Sequence, residues 1–242
     1  MIVDDTRSYF GMNKITTVLV LACIFLAGCG GSDTYVPNKT GIGWGFIDKK
    51  GYLIVPPQFE AVQPYTEGLA AVVANGHWGF VDAGGNMVIA PRFENAQQFS
   101  GGYAAVSDHD KWGFIDNKGH QVIGFNYDDT KPFSKAPDHI AAVKNGEHWG
   151  FVDDSGRAIR MPIHCFDCMP FSEGYAAVKD DKYLWGFIDL KGKLISECKY
   201  LSVTPFTDGV SEVHTRDNRY GLMDPNGLVV YKEQSELPSN FS

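Results

Sequence analysis

From residue 44 onward, hydrophobic and polar positions alternate with the two-residue period of strands, not the spacing of a helix face. Trp44-Gly45-Phe46-Ile47-Asp48 puts two aromatics on one face and Gly and a β-branched residue on the other. Asp48-x-x-Gly51 then reads as a tight turn: the carboxylate accepts backbone N–H groups ahead of it, and Gly51 takes a positive φ. A strand from Tyr52 to Val55 follows, and Pro56-Pro57-Gln58-Phe59 reads as a connector whose prolines end pairing. Further on, Gly68-Leu69-Ala70-Ala71-Val72 enters the next Trp strand through the hairpin signal Asn75-Gly76. One unit is thus a three-strand meander plus a connector. No long amphipathic helix is predicted anywhere.

The pattern recurs. Trp-Gly dipeptides begin at Trp44, Trp78, Trp112, Trp149 and Trp185, 34 to 37 residues apart. Each is followed by an aspartate, Asp48, Asp82, Asp116, Asp153 and Asp189, and three residues later by Gly51, Gly85, Gly119, Gly156 and Gly192. A decayed sixth copy runs Tyr220-Gly221-Leu222-Met223-Asp224, with Gly227. The Ala-Ala-Val block returns at Ala104, Ala141 and Ala176, and more loosely as Ser211-Glu212-Val213. These residues resemble the WG repeat family of bacterial proteins, and the resemblance covers nearly all of the chain after residue 41. It implies a β-rich repeat fold and an interaction or surface module without an assigned reaction.

A lone meander buries too little surface to be stable, so units must stack, with the aromatic at Phe59, Phe93 and Tyr127 between them. Glycine beside each Trp lets a neighbouring backbone or ring come close. The expected class is all-β: an open, twisted, solenoid-like array of six repeats over residues 41–232, with a polar tail at 233–242. A closed propeller is the alternative. The first Trp strand has no Ala-Ala-Val block before it and the last copy has decayed, as capping units do, which favours the open form.

The first 28 residues read differently. Met12-Asn13-Lys14 is a short basic start, and the apolar run Ile15 to Leu26 is too short to span a bilayer of about 30 Å comfortably. Asp4 and Asp5 are unusual in the leading region of a signal, so translation is expected to begin at Met12. Leu26-Ala27-Gly28-Cys29 resembles the lipobox of bacterial lipoproteins. That resemblance implies cleavage before Cys29, diacylglyceryl on its sulfur and an acyl chain such as palmitate on the new amine. Residues 29–40 then form a flexible tether beginning Gly30-Gly31-Ser32. Gly30, not Asp, follows the lipidated cysteine; by the sorting habit of enteric lipoproteins this favours the outer membrane of a Gram-negative host. Cys23 lies inside the signal and leaves with it.

The formal charge is -8 and no Lys/Arg stripe interrupts it, which excludes nucleic acid as an expected partner. The row of aspartates reads as turn caps, since metal or acid–base work needs carboxylates converging on one point. Cys165 and Cys168 form a Cys-x-x-Cys beside His164. Aligning the fourth unit on the first with one inserted residue places them where Phe59 and Val62 stand, both core positions. An exported chain with Cys198 as a third thiol makes them candidate disulfide partners with open connectivity, or buried thiols, in preference to a metal site. No nucleophile elbow and no phosphate-cradling loop occur. The seven histidines follow no triad pattern and read as solvated. Tyr65, Tyr103 and Tyr175 offer an aromatic ladder to a glycan or peptide, with the Trp residues reading more strongly as core. No catalytic residue, metal or cofactor is assigned. The expected function is that of a lipid-anchored cell-envelope binding or scaffold protein with a protein or envelope-polymer partner. A glycan-acting envelope enzyme is the alternative from another class.

Overall fold

The computed structural model describes residues 36–40 and 43–231, with side chains from residue 43 on. The signal, Met12, Cys29, the start of the tether and the tail at 233–242 lie outside the described residues. Among those residues there is no helix. Among the described residues strands form five antiparallel sheets, the last of seven strands spanning two units whose halves are counted here as the fifth and sixth sheets. The first holds Val36–Thr40, Gly43–Ile47 and Leu53–Phe59; the second Ala61–Val62, Ala70–Ala74, His77–Val81 and Met87–Phe93. The third holds Asn95–Ala96, Tyr103–Asp108, Lys111–Asp116 and Gln121–Tyr127; the fourth Asp129–Thr130, Ile140–Asn145, His148–Asp153 and Ala158–Ile159. The last two join through one long strand. Asp167–Cys168, Tyr175–Lys179 and Trp185–Asp189 precede Leu194–Val203, and Ser211–Thr215, Tyr220–Met223 and Val229–Tyr231 follow it.

That long strand shows how the units are linked. Its first part pairs with the fifth Trp-Gly strand up to Trp185↔Tyr200, and its last part with the next sheet, at Ser202↔His214 and Val203↔Val213. In the first three units the same path is broken by one residue, as between Leu53–Phe59 and Ala61–Val62. The complete sheet therefore has four strands, not the three of the expected meander, because the tail of each outer strand crosses to the next sheet and satisfies its edge. The prolines do not end pairing either. Pro56 and Pro57 lie inside Leu53–Phe59, in a bulge between the pairs Phe46↔Val55 and Trp44↔Phe59. A bulge is where a strand tolerates residues that cannot donate to the ladder.

Val36–Thr40, expected as part of a flexible tether, is a strand. Val36–Thr40 pairs along its whole length with Gly43–Ile47, taking the place that the Ala-Ala-Val strand holds in later sheets. Without it the first Trp strand would leave a row of backbone groups unpaired.

Both faces of an interior sheet are buried, and the core is divided into five clusters, each between two successive sheets. In the second sheet Ala70, Val72 and Val81 pack back onto Phe46, Val55 and Phe59 of the first. Ala71, Phe80, Ile89 and Phe93 pack forward onto Ala96, Ala104, Val106 and Ile115 of the third. The Ala-Ala-Val strand keeps small side chains because it is covered on both sides. The Phe of each Trp-Gly-Phe, fully buried, contributes about 2–3 kcal/mol by area removed from water. It meets a second ring from the connector: Phe46–Tyr65 at 4.6 Å, Phe80–Phe99 at 4.9 Å, Phe114–Phe133 at 4.8 Å, Phe151–Phe171 at 4.9 Å and Phe187–Phe206 at 5.2 Å. Pairing runs only within and between successive sheets, and among the described residues no strand pair joins first to last. The array is open.

Candidate functional site

The six aspartates stand in a row of identical turns. Oδ1 of Asp82 accepts the N–H groups of Gly84 and Asn86, both at 2.9 Å, and its carbonyl accepts Gly85 N–H at 2.9 Å. Asp48, Asp116, Asp153, Asp189 and Asp224 repeat this on residues two and four ahead. The carboxylates serve the turns, as expected, and do not converge. Among the described residues no three His, Cys, Asp or Glu side chains are placed to hold a metal ion.

These bonds hold several carboxyls below their ordinary range. The Asn86 side chain does so for Asp82, the Ser155 hydroxyl for Asp153 and the Leu228 N–H for Asp224. At Asp116 desolvation pulls the other way and is outweighed by the bonds from His120 and Lys118. A group whose folded pKa is depressed adds stability above its unfolded pKa of about 3.9, lost as pH falls through the folded value. Thermal melts should therefore be flat from neutral pH down to about 5 and fall steeply below about 4. Replacing Asp82, Asp116, Asp153 and Asp224 together by Asn should blunt that acid limb. A limb unchanged in the quadruple variant would show that the turns do not cause it.

The tyrosines do not form a common ladder. Tyr65 occupies the position that is Phe99, Phe133, Phe171 and Phe206 in later units, and its hydroxyl donates to the Asp82 carbonyl at 2.7 Å. Tyr103 and Tyr175 occupy another place, packed on Phe133 and Phe206 at 4.7 and 4.9 Å. All three are drawn into packing between units. Trp149 and Trp185 are buried, and Trp44, Trp78 and Trp112 half-buried. Lys131 and Lys179 lie over the Trp149 and Trp185 rings at 4.6 and 5.1 Å.

Cys165 and Cys168 fall on the predicted core positions. Cys165 bridges Trp149 as Phe59 pairs with Trp44, and Cys168 pairs with Val178 as Val62 does with Val72. Both are buried, Cys198 is half-buried, and all three are free thiols. His164, expected beside them in solvent, lies with its ring 5.2 Å from that of His148.

A cleft of about 720 Å³ runs along the short-strand edge of the second to fourth sheets. It is lined by Gln63, Thr66, Glu67, Gln97, Gln98, Phe99, Ser100, Pro132 and Lys135. Its wall is held by bonds from unit to unit. Gln63 Nε2 donates to the Ala96 carbonyl at 2.9 Å and Ser100 Oγ to the Phe133 carbonyl at 2.8 Å. Both oxygens of Glu67, the one carboxylate lining the cleft, accept N–H groups of the next unit's turn, Gly101 and Gly102, at 2.9 Å. Glu173 repeats the device on Asp208 and Gly209. Glu67 can reach because it takes φ +51°, the first position of a two-residue hairpin turn. None of these residues was singled out from the sequence, although Gln63 and Gln97, and Thr66 and Ser100, recur one period apart. Pro132 and Lys135 come from the segment between Asp129–Thr130 and Ile140–Asn145.

Fold and repeat chemistry together define a tandem all-β array in which each unit is a Trp-Gly hairpin capped by an Asp-x-x-Gly turn. The chain belongs to the WG repeat family: the WG containing repeat matches residues 44–76, 78–112, 112–147, 149–183 and 185–215. The last two strands, Tyr220–Met223 and Val229–Tyr231, lie beyond these five matches. No curated protein matches the chain. Among solved structures it is similar to one titled "Crystal structure of the eukaryotic initiation factor", at 15% identity and TM-score 0.54, over 84% of this chain and 64% of that one. It is similar also to KlHsv2 with loop 6CD replaced by a Gly-Ser linker, at 12% identity and TM-score 0.53, over 84% and 82%. The computationally designed Ika8 protein aligns at 12% identity and TM-score 0.52, over 83% and 71%. At such identities the likeness is one of fold alone.

Proposed function

We propose that this protein is a lipid-anchored binding or scaffold module of the cell envelope, recognising a protein or envelope polymer along the short-strand edge of its array. The observation that carries the reading is the cleft that spans three successive sheets. It combines amide, hydroxyl and cationic side chains on a wall stiffened between units, and a repeat array commonly binds on such an extended concave face. The anchor rests on Leu26-Ala27-Gly28-Cys29. Several acyl chains, at about 0.8 kcal/mol per buried CH2, bind a membrane firmly. In a Gram-negative host the outer membrane is the expected address.

Crosslinking in intact cells followed by affinity recovery tests the binding surface. The array should recover a specific partner that is lost with Lys135→Glu and kept with Lys50→Glu on a turn remote from the cleft. Equal recovery by both variants would overturn the assignment of the surface. The anchor has its own test. Cys29→Ser should move the protein from the membrane to the soluble fraction, and a variant that still sediments with membranes would rule the lipid anchor out.

A further inference from the structure

The fourth unit departs from the others at one place, and three thiols meet there. Cys165 and Cys168 are each 1% exposed in the cluster between the fourth and fifth sheets, and Cys198 packs against that cluster. The Cys165 carbonyl accepts Trp149 N–H at 2.8 Å, so this residue is tied to the fourth sheet; Cys168 pairs with Val178 and belongs to the fifth. The two therefore lie on either side of a unit boundary within one core cluster, with Phe166 and Asp167 making the step between. The Cys168 thiol is the neighbouring group that acts most on the Cys165 thiol, which donates to the Asp167 carbonyl at 2.9 Å. Elsewhere these positions hold an aromatic and a β-branched or small residue, so packing alone does not call for sulfur at both.

The surroundings separate the roles of the three. The Cys168 thiol holds Cys165 below the ordinary thiol range, and Lys131 favours its thiolate. Lys131 is fixed there by the Asp167 carboxylate at 2.9 Å and by the Cys168 carbonyl. The Cys165 thiol, with burial, pushes Cys168 up. Burial pushes Cys198 up to about 11, and its sulfur is turned to the Val178 carbonyl at 3.8 Å. Access is also local to this unit. In other units the bulged outer strand lies over the Trp-Gly glycine, whereas here residues 160–164 form no strand and nothing lies within 4 Å of a Cβ placed on Gly150. A segment with so few backbone bonds opens at lower cost than the rest of the array.

We propose that Cys165 and Cys168 are a dithiol that closes into an intramolecular disulfide bridging the fourth and fifth units, with Cys198 left as a free thiol. The Cys165 thiolate attacks one sulfur of a small-molecule disulfide such as oxidised glutathione, forming a mixed disulfide and releasing one thiolate. Cys168 gives its proton to solvent and attacks the Cys165 sulfur, expelling the second thiol. Two protein thiols lose two electrons, and the oxidant is reduced to two thiols.

The full-length protein, held in excess oxidised glutathione, alkylated without reduction and digested with trypsin, tests this. Residues 161–179 contain both cysteines and no internal Lys or Arg, so the bridge stays within one peptide. That peptide should be lighter by the mass of two hydrogens and carry no alkyl group, while Cys198, in residues 194–199, is alkylated. Cys198→Ser should leave the bridge intact, and Cys165→Ser should leave no bridge within 161–179. A crosslink between Cys198 and either partner would overturn the proposal. So would full alkylation of both Cys165 and Cys168 after refolding from denaturant in the same oxidant.

Discussion

Gly79→Ala should lower the stability of the array by about 3 kcal/mol, whereas Gly150→Ala should leave it unchanged or raise it by up to about 1 kcal/mol. Both glycines follow the Trp of their unit, and a strand glycine with open space beside it is weaker than alanine through backbone entropy alone. The difference lies above the Cα. A Cβ on Gly79 would sit 2.5 Å from the Ile89 carbonyl oxygen and 2.8 Å from the Pro91 nitrogen, both backbone atoms of the bulged outer strand. Gly113 and Gly186 meet the Ile123 and Ser196 carbonyls in the same way, at 2.6 and 2.7 Å, and Gly45 meets that of Val55. No rotamer change relieves a clash with main chain, so the bulge must shift and with it the Trp78↔Phe93 pair. At Gly150 the bulge is absent and nothing lies within 4 Å. Denaturant midpoints of the two variants against the parent make the comparison. Equal losses at both positions would mean that the bulge does not explain the glycine of the Trp-Gly pair.

Gly192→Ala is expected to cost about 3 kcal/mol or more, and Gly51→Ala about 1–2 kcal/mol, though both glycines close the same Asp-x-x-Gly turn. Each has positive φ, +75° and +84°, so alanine carries the left-handed penalty at both. Gly192 bears a second constraint: its missing side chain leaves room for the Arg160 carbonyl of the preceding unit. Gly227 meets the Ile195 carbonyl likewise, and Gly85 meets Val55 Cγ1 at 2.8 Å. Gly51 lies in the first described sheet, and a Cβ there finds nothing within 4 Å. Gly156, whose nearest neighbour is the Ile123 side chain at 3.8 Å, should resemble Gly51. Urea titrations of the three variants should therefore rank Gly192→Ala well below the other two. Should all three fall together, the turn glycine would be a matter of φ alone and not of stacking.

The repeat was legible because its signals are local. The Asp-capped turns and the two-sided alternation of Trp-Gly-Phe-Ile-Asp depend on residues within five positions of one another, and their recurrence shows the period. Cys165 and Cys168 were placed on core positions by alignment alone, and their pairs with Trp149 and Val178 agree. Relations between units were harder to see. Tyr65 looked like an exposed aromatic and is the first member of a ring series otherwise made of Phe, because in its own segment nothing marks the Phe46 ring it will meet. The cleft escaped for a similar reason. Gln63, Glu67 and Ser100 are ordinary turn and edge residues until stacking aligns one unit's side chains with the next unit's backbone.

By itself, then, the sequence determined that the chain is an all-β array of Trp-Gly units, where the Asp-x-x-Gly turns lie and that their glycines take positive φ. Tertiary structure decided that each sheet has four strands, that Pro56 and Pro57 sit in a bulge, that Val36–Thr40 is a strand and that the Trp-Gly glycine is a seat for a neighbouring carbonyl. Turn and strand preferences are settled within a few residues by backbone sterics and local hydrogen bonds. Which edge a strand's end pairs with, and which glycine is covered, depend on how backbone groups a full repeat apart satisfy one another once the sheets have stacked.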